Sequence, residues 1–197
     1  MVNFPKGVTN SSSILKSNTN NVMYGSRGMS FEEMVNQSNQ YYLQHNLAVI
    51  HKKPTPIQVV KVDYPKRSAA KITEAYYRHA STTDYNGIYL GKYIDFEAKE
   101  TKNKTRFPLS NLPIHQQQHM KQCLDQGGIV FILIYFTVYN EIYLYPFEEF
   151  INVTKSQMIK SLTYLEIKTK GYQCPMGYLP MVDYLKAVDQ YLENKLE

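Results

Sequence analysis

Asp84, Glu97 and Lys99 form an acid, acid-Ala-lysine pattern, the set with which many nucleases hold a divalent metal against a phosphodiester. They lie in the segment from Thr82 to Lys99, which reads as a β-hairpin turning at Leu90-Gly91, where the glycine supplies a positive φ. A regular ladder outward from that turn places residues whose numbers sum to 181 opposite each other, so Asp84 faces Glu97 and Thr82 faces Lys99. Directly opposed side chains have Cβ atoms about 4.5 to 5.5 Å apart, within reach of one shared cation. In the second strand Ile94, Phe96 and Ala98 alternate with Asp95, Glu97 and Lys99, the period of a half-buried strand with an apolar face on the core. An ordinary solvated strand would set acid against base. Here acid opposes acid, which is unfavourable unless a cation or proton is shared.

Four stretches carry more information than that pattern alone: His51-Lys52-Lys53-Pro54-Thr55-Pro56, Val62-Asp63-Tyr64-Pro65-Lys66-Arg67-Ser68, Ser81-Thr82-Thr83-Asp84-Tyr85-Asn86-Gly87 and Tyr93-Ile94-Asp95-Phe96-Glu97-Ala98-Lys99-Glu100-Thr101-Lys102. Together they closely resemble the RecU family of bacterial Holliday-junction resolvases, and the resemblance runs from about Tyr24 to the C-terminus. It implies an α/β, restriction-endonuclease-like core with a central mixed sheet flanked by helices and a projecting stalk. It also implies a homodimer, Mg²⁺ dependence and symmetric nicking of four-way DNA junctions, and it suggests contact with the recombinase and branch-migration machinery. The family's metal ligands match Thr82, Asp84, Glu97 and Gln116, and its transition-state lysine matches Lys99. One or two Mg²⁺ ions per subunit fit such a set.

The charge distribution points to the stalk independently. Between His51 and Ala80 lie seven basic residues, Lys52, Lys53, Lys61, Lys66, Arg67, Lys71 and Arg78, against two acidic ones, Asp63 and Glu74. That excess of +5 equals the formal net charge of the whole chain, so the basic character is local to the segment preceding the acidic hairpin. Phosphates must be drawn toward a site whose own carboxylates repel them, and Lys52, Lys66, Arg67, Lys71 and Arg78 are the candidate DNA contacts. Tyr64, Tyr76 and Tyr77 interleave them, suited either to stacking on unpaired bases or to packing the stalk. Lys102, Lys104 and Arg106 form a second small cluster running off the catalytic strand.

The elements that must position these groups follow from local patterns. Ser30 and Glu33 make a capping box, and Phe31, Met34, Val35, Ser38, Tyr41 and Tyr42 a helical stripe, predicting a helix over about residues 31 to 45. Leu47 to Ile50 reads as a short buried strand, Ile57 to Val62 as extended, and Ser68 to Tyr77 as a short helix. Pro113 opens a helix stopped by Gly127-Gly128, with Gln116 near its start offering an amide oxygen to a hard cation. His115 and His119 on that helix lack a third zinc ligand at motif spacing. Ile129 to Tyr139 and Glu141 to Tyr145 are strands, the first apolar on both faces and therefore central, and Val182 to Leu192 has helical spacing.

With 197 residues and 43% apolar content, residues 24–197 make one nuclease domain in which 54–80 are the stalk insertion. The Asn- and Ser-rich residues 1–23 cannot bury enough surface to offset ordering entropy and read as a flexible arm. The longest apolar run, Ile129 to Phe136, is well short of the ~20 residues of a membrane span, and the N-terminus shows no apolar signal core, so a cytoplasmic location is expected. Two cysteines, Cys123 and Cys174, suggest packing thiols and no disulfide framework. The expected activity is a structure-selective endodeoxyribonuclease acting in recombination and repair. The alternatives are a non-catalytic DNA-binding or recombinase-regulating protein and a sequence-specific restriction-type enzyme.

Overall fold

The computed structural model describes residues 29–66, 69–78, 82–155 and 159–195. The arm over 1–23, and Arg67 in the stalk, lie outside the described residues. Ser30 Oγ accepts from the Glu33 N–H and caps α1 (Phe31–Gln44), whose Phe31, Met34, Val35 and Tyr42 are buried. Among the described residues no helix is long and apolar enough to cross a membrane.

The turn at Leu90-Gly91 has φ of +49° and +73°, the primed geometry that matches the twist of a tight hairpin. It joins β4 (Tyr85–Tyr89) to β5 (Lys92–Thr101), and every pair from Tyr89↔Lys92 to Tyr85↔Phe96 sums to 181, as the sequence pattern requires. β5 then pairs in parallel along its length with β7 (Ile129–Phe136). A parallel neighbour needs a crossover, and here it contains α2 (Ile114–Asp125). β7 is buried on both faces and pairs antiparallel with β8 (Glu141–Pro146), itself flanked by β10 (Tyr172–Cys174). With β1 (Val49–Lys52) on the other edge, the mixed sheet has the order β1-β4-β5-β7-β8-β10. Tyr85, Phe96 and Phe131 stack across β4, β5 and β7 with ring centroids 4.9 and 4.8 Å apart. Such pairs each add about 0.5–1.5 kcal/mol beyond area burial, which pins the three strands that surround the acids.

Helices cover both faces. Ile94, Phe96, Phe131 and Leu144 pack with α1 and α5 (Tyr184–Asn194) on one side. Ile132, Ile134 and Tyr145 pack with Met120 of α2, with α3 (Phe147–Thr154) and with Ile167 of α4 (Tyr164–Lys170) on the other. A small ladder of β6 (Arg106–Pro108) with β9 (Ser161–Thr163) closes the second side.

Three local expectations are corrected. Residues 71–77 are a strand and not part of a helix: β3 (Lys71–Tyr77) pairs antiparallel with β2 (Ile57–Asp63), so the stalk segment is a two-stranded ribbon separate from the main sheet. Ile72, Thr73, Tyr76 and Tyr77 favour strand, and the partner β2 decides what composition left open. The first strand starts and ends two residues later than expected, and as an edge strand it buries only Ile50. It can lie there because Gly87, opposite Ile50, has no side chain: a Cβ would stand 2.0 Å from the Val49 carbonyl oxygen. Finally, α3, α4 and β10 lie within residues 147–174, for which no element is expected from the sequence.

Candidate metal centre and nucleic-acid surface

The hairpin ladder stops at Tyr85↔Phe96, one pair short of the acids. Lys53 takes over the backbone beyond that point, its N–H donating to the Asp84 carbonyl at 2.7 Å. The Asp84 N–H in turn donates to Glu97 Oε2 at 2.9 Å, so the two acids remain neighbours as the register demands. Thr82 and Lys99 form no ladder pair and share no hydrogen bond. Thr82 instead offers its carbonyl to Gln116 Nε2 at 3.1 Å, and Lys99 Nζ lies 2.6 Å from Glu97 Oε1.

The polar face of β5 is covered where a solvated face would have been exposed. α2 lies over it, and both Asp95 and Glu97 are fully buried. Glu97 Oε1 also accepts from Gln116 Nε2 at 2.9 Å, which brings Thr82, Asp84, Glu97, Lys99 and Gln116 into one cluster. Burial, and after it the charge of Asp84, pushes the Glu97 carboxyl up from 4.5 to about 7, while Lys99 works against that rise. Gln116 spends both amide protons on Thr82 and Glu97. Its oxygen Oε1 is buried with no hydrogen-bond partner. A buried unpaired carbonyl oxygen costs about 1–3 kcal/mol, and beside two acids it is a donor set suited to a hard divalent cation.

Beside this cluster lies another that sequence reasoning did not assemble. Asp95 Oδ2 accepts from Lys53 Nζ at 2.7 Å and from the Tyr93 hydroxyl at 2.8 Å, and its Oδ1 accepts from Thr83 Oγ1 at 2.5 Å. His119 Nε2 lies 3.3 Å from the same carboxylate. On sequence alone Lys53 is one of seven charges in the basic segment, and His119 is one of a histidine pair without a third zinc ligand. The available signal was Asp95 itself, an acid on the polar face with no neutral explanation.

Of the candidate DNA contacts, Lys66, Lys71 and Arg78 are exposed and make no ion pair among the described residues. Lys52 pairs with Glu32 at the start of α1. Ile57, Val59, Val60, Ile72, Tyr64, Tyr76 and Tyr77 on or beside the ribbon are all exposed. Lys102, Lys104 and Arg106 are exposed where the chain leaves β5.

A mixed α/β sheet gathers an acid pair, a lysine and an unpartnered buried amide oxygen, and an exposed basic ribbon is inserted in the chain just before them, which defines the class of mixed α/β proteins with a candidate metal centre and a basic surface. Residues 26–190 match the family of recombination protein U, and the chain belongs to the RecU family. It is 54% identical over 200 aligned residues to the Holliday junction resolvase RecU of Leuconostoc mesenteroides, covering 98% of each chain. It is 56% identical over 169 residues to the protein of that name from Bacillus cytotoxicus, covering 84% of each. With the one from Staphylococcus aureus strain JH9 it shares 55% over 180 residues, 90% of this chain and 86% of that one.

Proposed function

We propose that this chain is a divalent-metal-dependent endodeoxyribonuclease that resolves four-way (Holliday) junctions by paired nicks, with Mg²⁺ as its metal, one or two ions per subunit. The observation that carries the reading is the donor set itself: the Glu97 carboxyl, raised by burial and then by the charge of Asp84, and the buried Gln116 side chain that donates to it while its own oxygen has no partner. The names of relatives more than half identical along most of the chain support the same substrate. The hairpin, crossover helix and acid-acid-lysine set support a restriction-endonuclease-like core, with 24–197 as one domain and 54–80 as its stalk.

Asp84 and Glu97 would hold the cation through carboxylate oxygens, with Gln116 Oε1 and Thr82 Oγ1 as neutral ligands, directly or through water. A bound divalent cation would polarise the scissile phosphate and acidify a water for in-line attack. Glu97 must be deprotonated to take part, and the Lys99 ammonium beside it favours that form. Lys99 is only partly exposed and can turn to the phosphate as charge builds on it, a task suited to a movable point charge. Lys66, Arg67, Lys71 and Arg78 on the stalk, and Lys52 once released from Glu32, supply sequence-independent phosphate contacts. Paired cuts across a symmetric junction need two sites related by a two-fold axis, which calls for a homodimer. Such an enzyme works where the chromosome is, in the cytoplasm.

The deciding assay incubates a mobile four-way junction, and linear duplex of the same sequence, with Mg²⁺ or EDTA and resolves the strands on denaturing gels. Symmetric Mg²⁺-dependent nicks in the junction alone are expected. Equal cutting of the linear duplex would make it a restriction-type enzyme, and binding without cutting a recombination regulator.

A further inference from the structure

Both roots of the ribbon run into one corner of the sheet. β2 departs after Lys53-Pro54-Thr55-Pro56, and the chain returns from β3 through Arg78 to Thr82, Thr83 and Asp84. The roots are tied by Arg78 N–H to the Pro56 carbonyl at 3.1 Å and by Lys53 N–H to the Asp84 carbonyl at 2.7 Å. The Lys53 side chain repeats the tie. Its ammonium lies 2.6 Å from Thr83 Oγ1, 2.7 Å from Asp95 Oδ2 and 3.2 Å from both Thr82 Oγ1 and His119 Nε2, one partner more than its three protons. With 14% of its side chain exposed, it faces the interior, while the other described basic residues of the segment, Lys52, Lys61, Lys66, Lys71 and Arg78, are exposed.

Asp95, His119 and Cys123 place their ligand atoms within 4.8 Å of one another, spacing that would serve a soft divalent cation. That place already has its cation, because Lys53 Nζ is 2.7 Å from the carboxylate and 3.2 Å from His119 Nε2. We infer that Lys53 is a positioning residue, an internal counter-ion that braces the Thr82–Asp84 segment so that the metal ligands stand ready, and that couples the roots of the stalk to the metal centre. The inference rests on the metal reading proposed above. A hydroxyl oxygen has two lone pairs; Lys53 takes one of those on Thr82 Oγ1 and leaves the other for the metal side. The backbone bond to Asp84 and the side-chain bond to Thr82 together hold the two ligands from the same residue, so movement of either root shifts both.

Removing Lys53 alone would strand the buried Asp95 charge and confuse positioning with folding. The test therefore uses Lys53→Met/Asp95→Asn, which removes both charges, with Asp84→Asn as the control. Three quantities are read: Mn²⁺ binding to the protein alone by EPR of the free ion, junction binding in EDTA, and single-turnover cleavage across a Mg²⁺ titration. The double variant should melt near the wild type, bind junctions within about twofold, and need about tenfold more Mn²⁺ or Mg²⁺ for half-saturation, the usual cost of losing a residue that orients a metal ligand. Wild-type metal affinity in the folded double variant overturns the inference. So does a loss of junction affinity in EDTA with the Mg²⁺ midpoint unchanged, which would make Lys53 a phosphate contact. If Asp84→Asn binds Mn²⁺ and cleaves like the wild type, the metal reading itself has failed; if only the double variant is wild-type-like, Lys53 alone has been misread. Should the double variant not fold, Lys53→Gln, which keeps a neutral donor, should show the same metal shift, and a wild-type midpoint there overturns the inference equally.

Discussion

The backbone N–H of Asp84 donates to Glu97 Oε2 at 2.9 Å, so the two acids are tied by a bond that survives a change of side chain at position 84. Asp84→Asn should therefore leave the site assembled while removing one of its two charges. Cleavage of a junction in Mg²⁺ should fall by about a hundredfold or more, as should that of Glu97→Gln, while gel-shift affinity in EDTA stays within about twofold. Cleavage at the wild-type rate by either variant would remove both residues from the metal centre.

Asp95 predicts a different phenotype. It lies opposite Asn86 in the hairpin and is fully buried against Lys53, Thr83 and Tyr93. Breaking a buried pair from one side costs about 3–5 kcal/mol, so urea denaturation of Asp95→Ala should show a loss of that size. Asp95→Asn keeps an acceptor and should cost less in cleavage than Asp84→Asn. A larger activity loss at position 95 than at 84 would place Asp95 among the metal ligands.

Lys99 touches Glu97 Oε1 and no other described acid. Lys99→Ala should lower the single-turnover rate at saturating Mg²⁺ by about a hundredfold and leave junction affinity within about twofold, because its contact strengthens as charge develops in the transition state. Weakened binding with an unchanged rate would make it a binding residue.

The raised carboxyl of Glu97 sets the pH behaviour of the metal-free protein. The folded state holds its proton up to about 7 and the unfolded state only to about 4.5, so this group's contribution is fully present below about 4.5 and is lost as pH rises through about 7. Thermal midpoints in EDTA should accordingly decline between pH 5 and pH 8 on this account. Asp84→Asn removes the second cause of the shift and should flatten the decline. Divalent cations need the deprotonated carboxylate, so half-saturation with Mg²⁺ should require less metal as pH rises through the same range; a pH-independent midpoint would contradict the assignment of Glu97.

Among the described residues the ribbon strands pair only with each other, so the ribbon can be shortened without removing a strand from the six-stranded sheet. If about four of its basic groups meet phosphates, log affinity should fall with log salt at a slope of about −3.6, roughly a hundredfold between about 50 and 200 mM. Lys66→Ala and Lys71→Ala should each flatten the slope by about 0.9. Deleting residues 61–71 should reduce the preference for junction over duplex more than it reduces duplex binding. A folded deletion variant with an unchanged preference would move junction recognition elsewhere on the protein.

What local pattern could determine, the sequence did determine. The register that brings Asp84 to Glu97 follows from a tight turn and a period of two, and both are properties of neighbouring residues. The Ser30 cap of α1, the helix after Pro113 and the doubly buried β7 follow in the same way. The family resemblance names Thr82 and Gln116 together with the acid-acid-lysine set, and the fold brings the five side by side. Tertiary structure decided which of these groups face water. Asp95 and Glu97 are buried because the β5-to-β7 crossover lays α2 over the polar face of β5, and no alternation of residue types encodes what covers a face. Residues 71–77 form a strand because β2 runs beside them, which overrides a composition equally suited to helix. Lys53 turns inward because the buried carboxylate of Asp95, 42 positions away, stands 2.7 Å from its ammonium, and the attraction between two opposite charges is stronger there than in water, where Lys61, Lys66, Lys71 and Arg78 remain exposed.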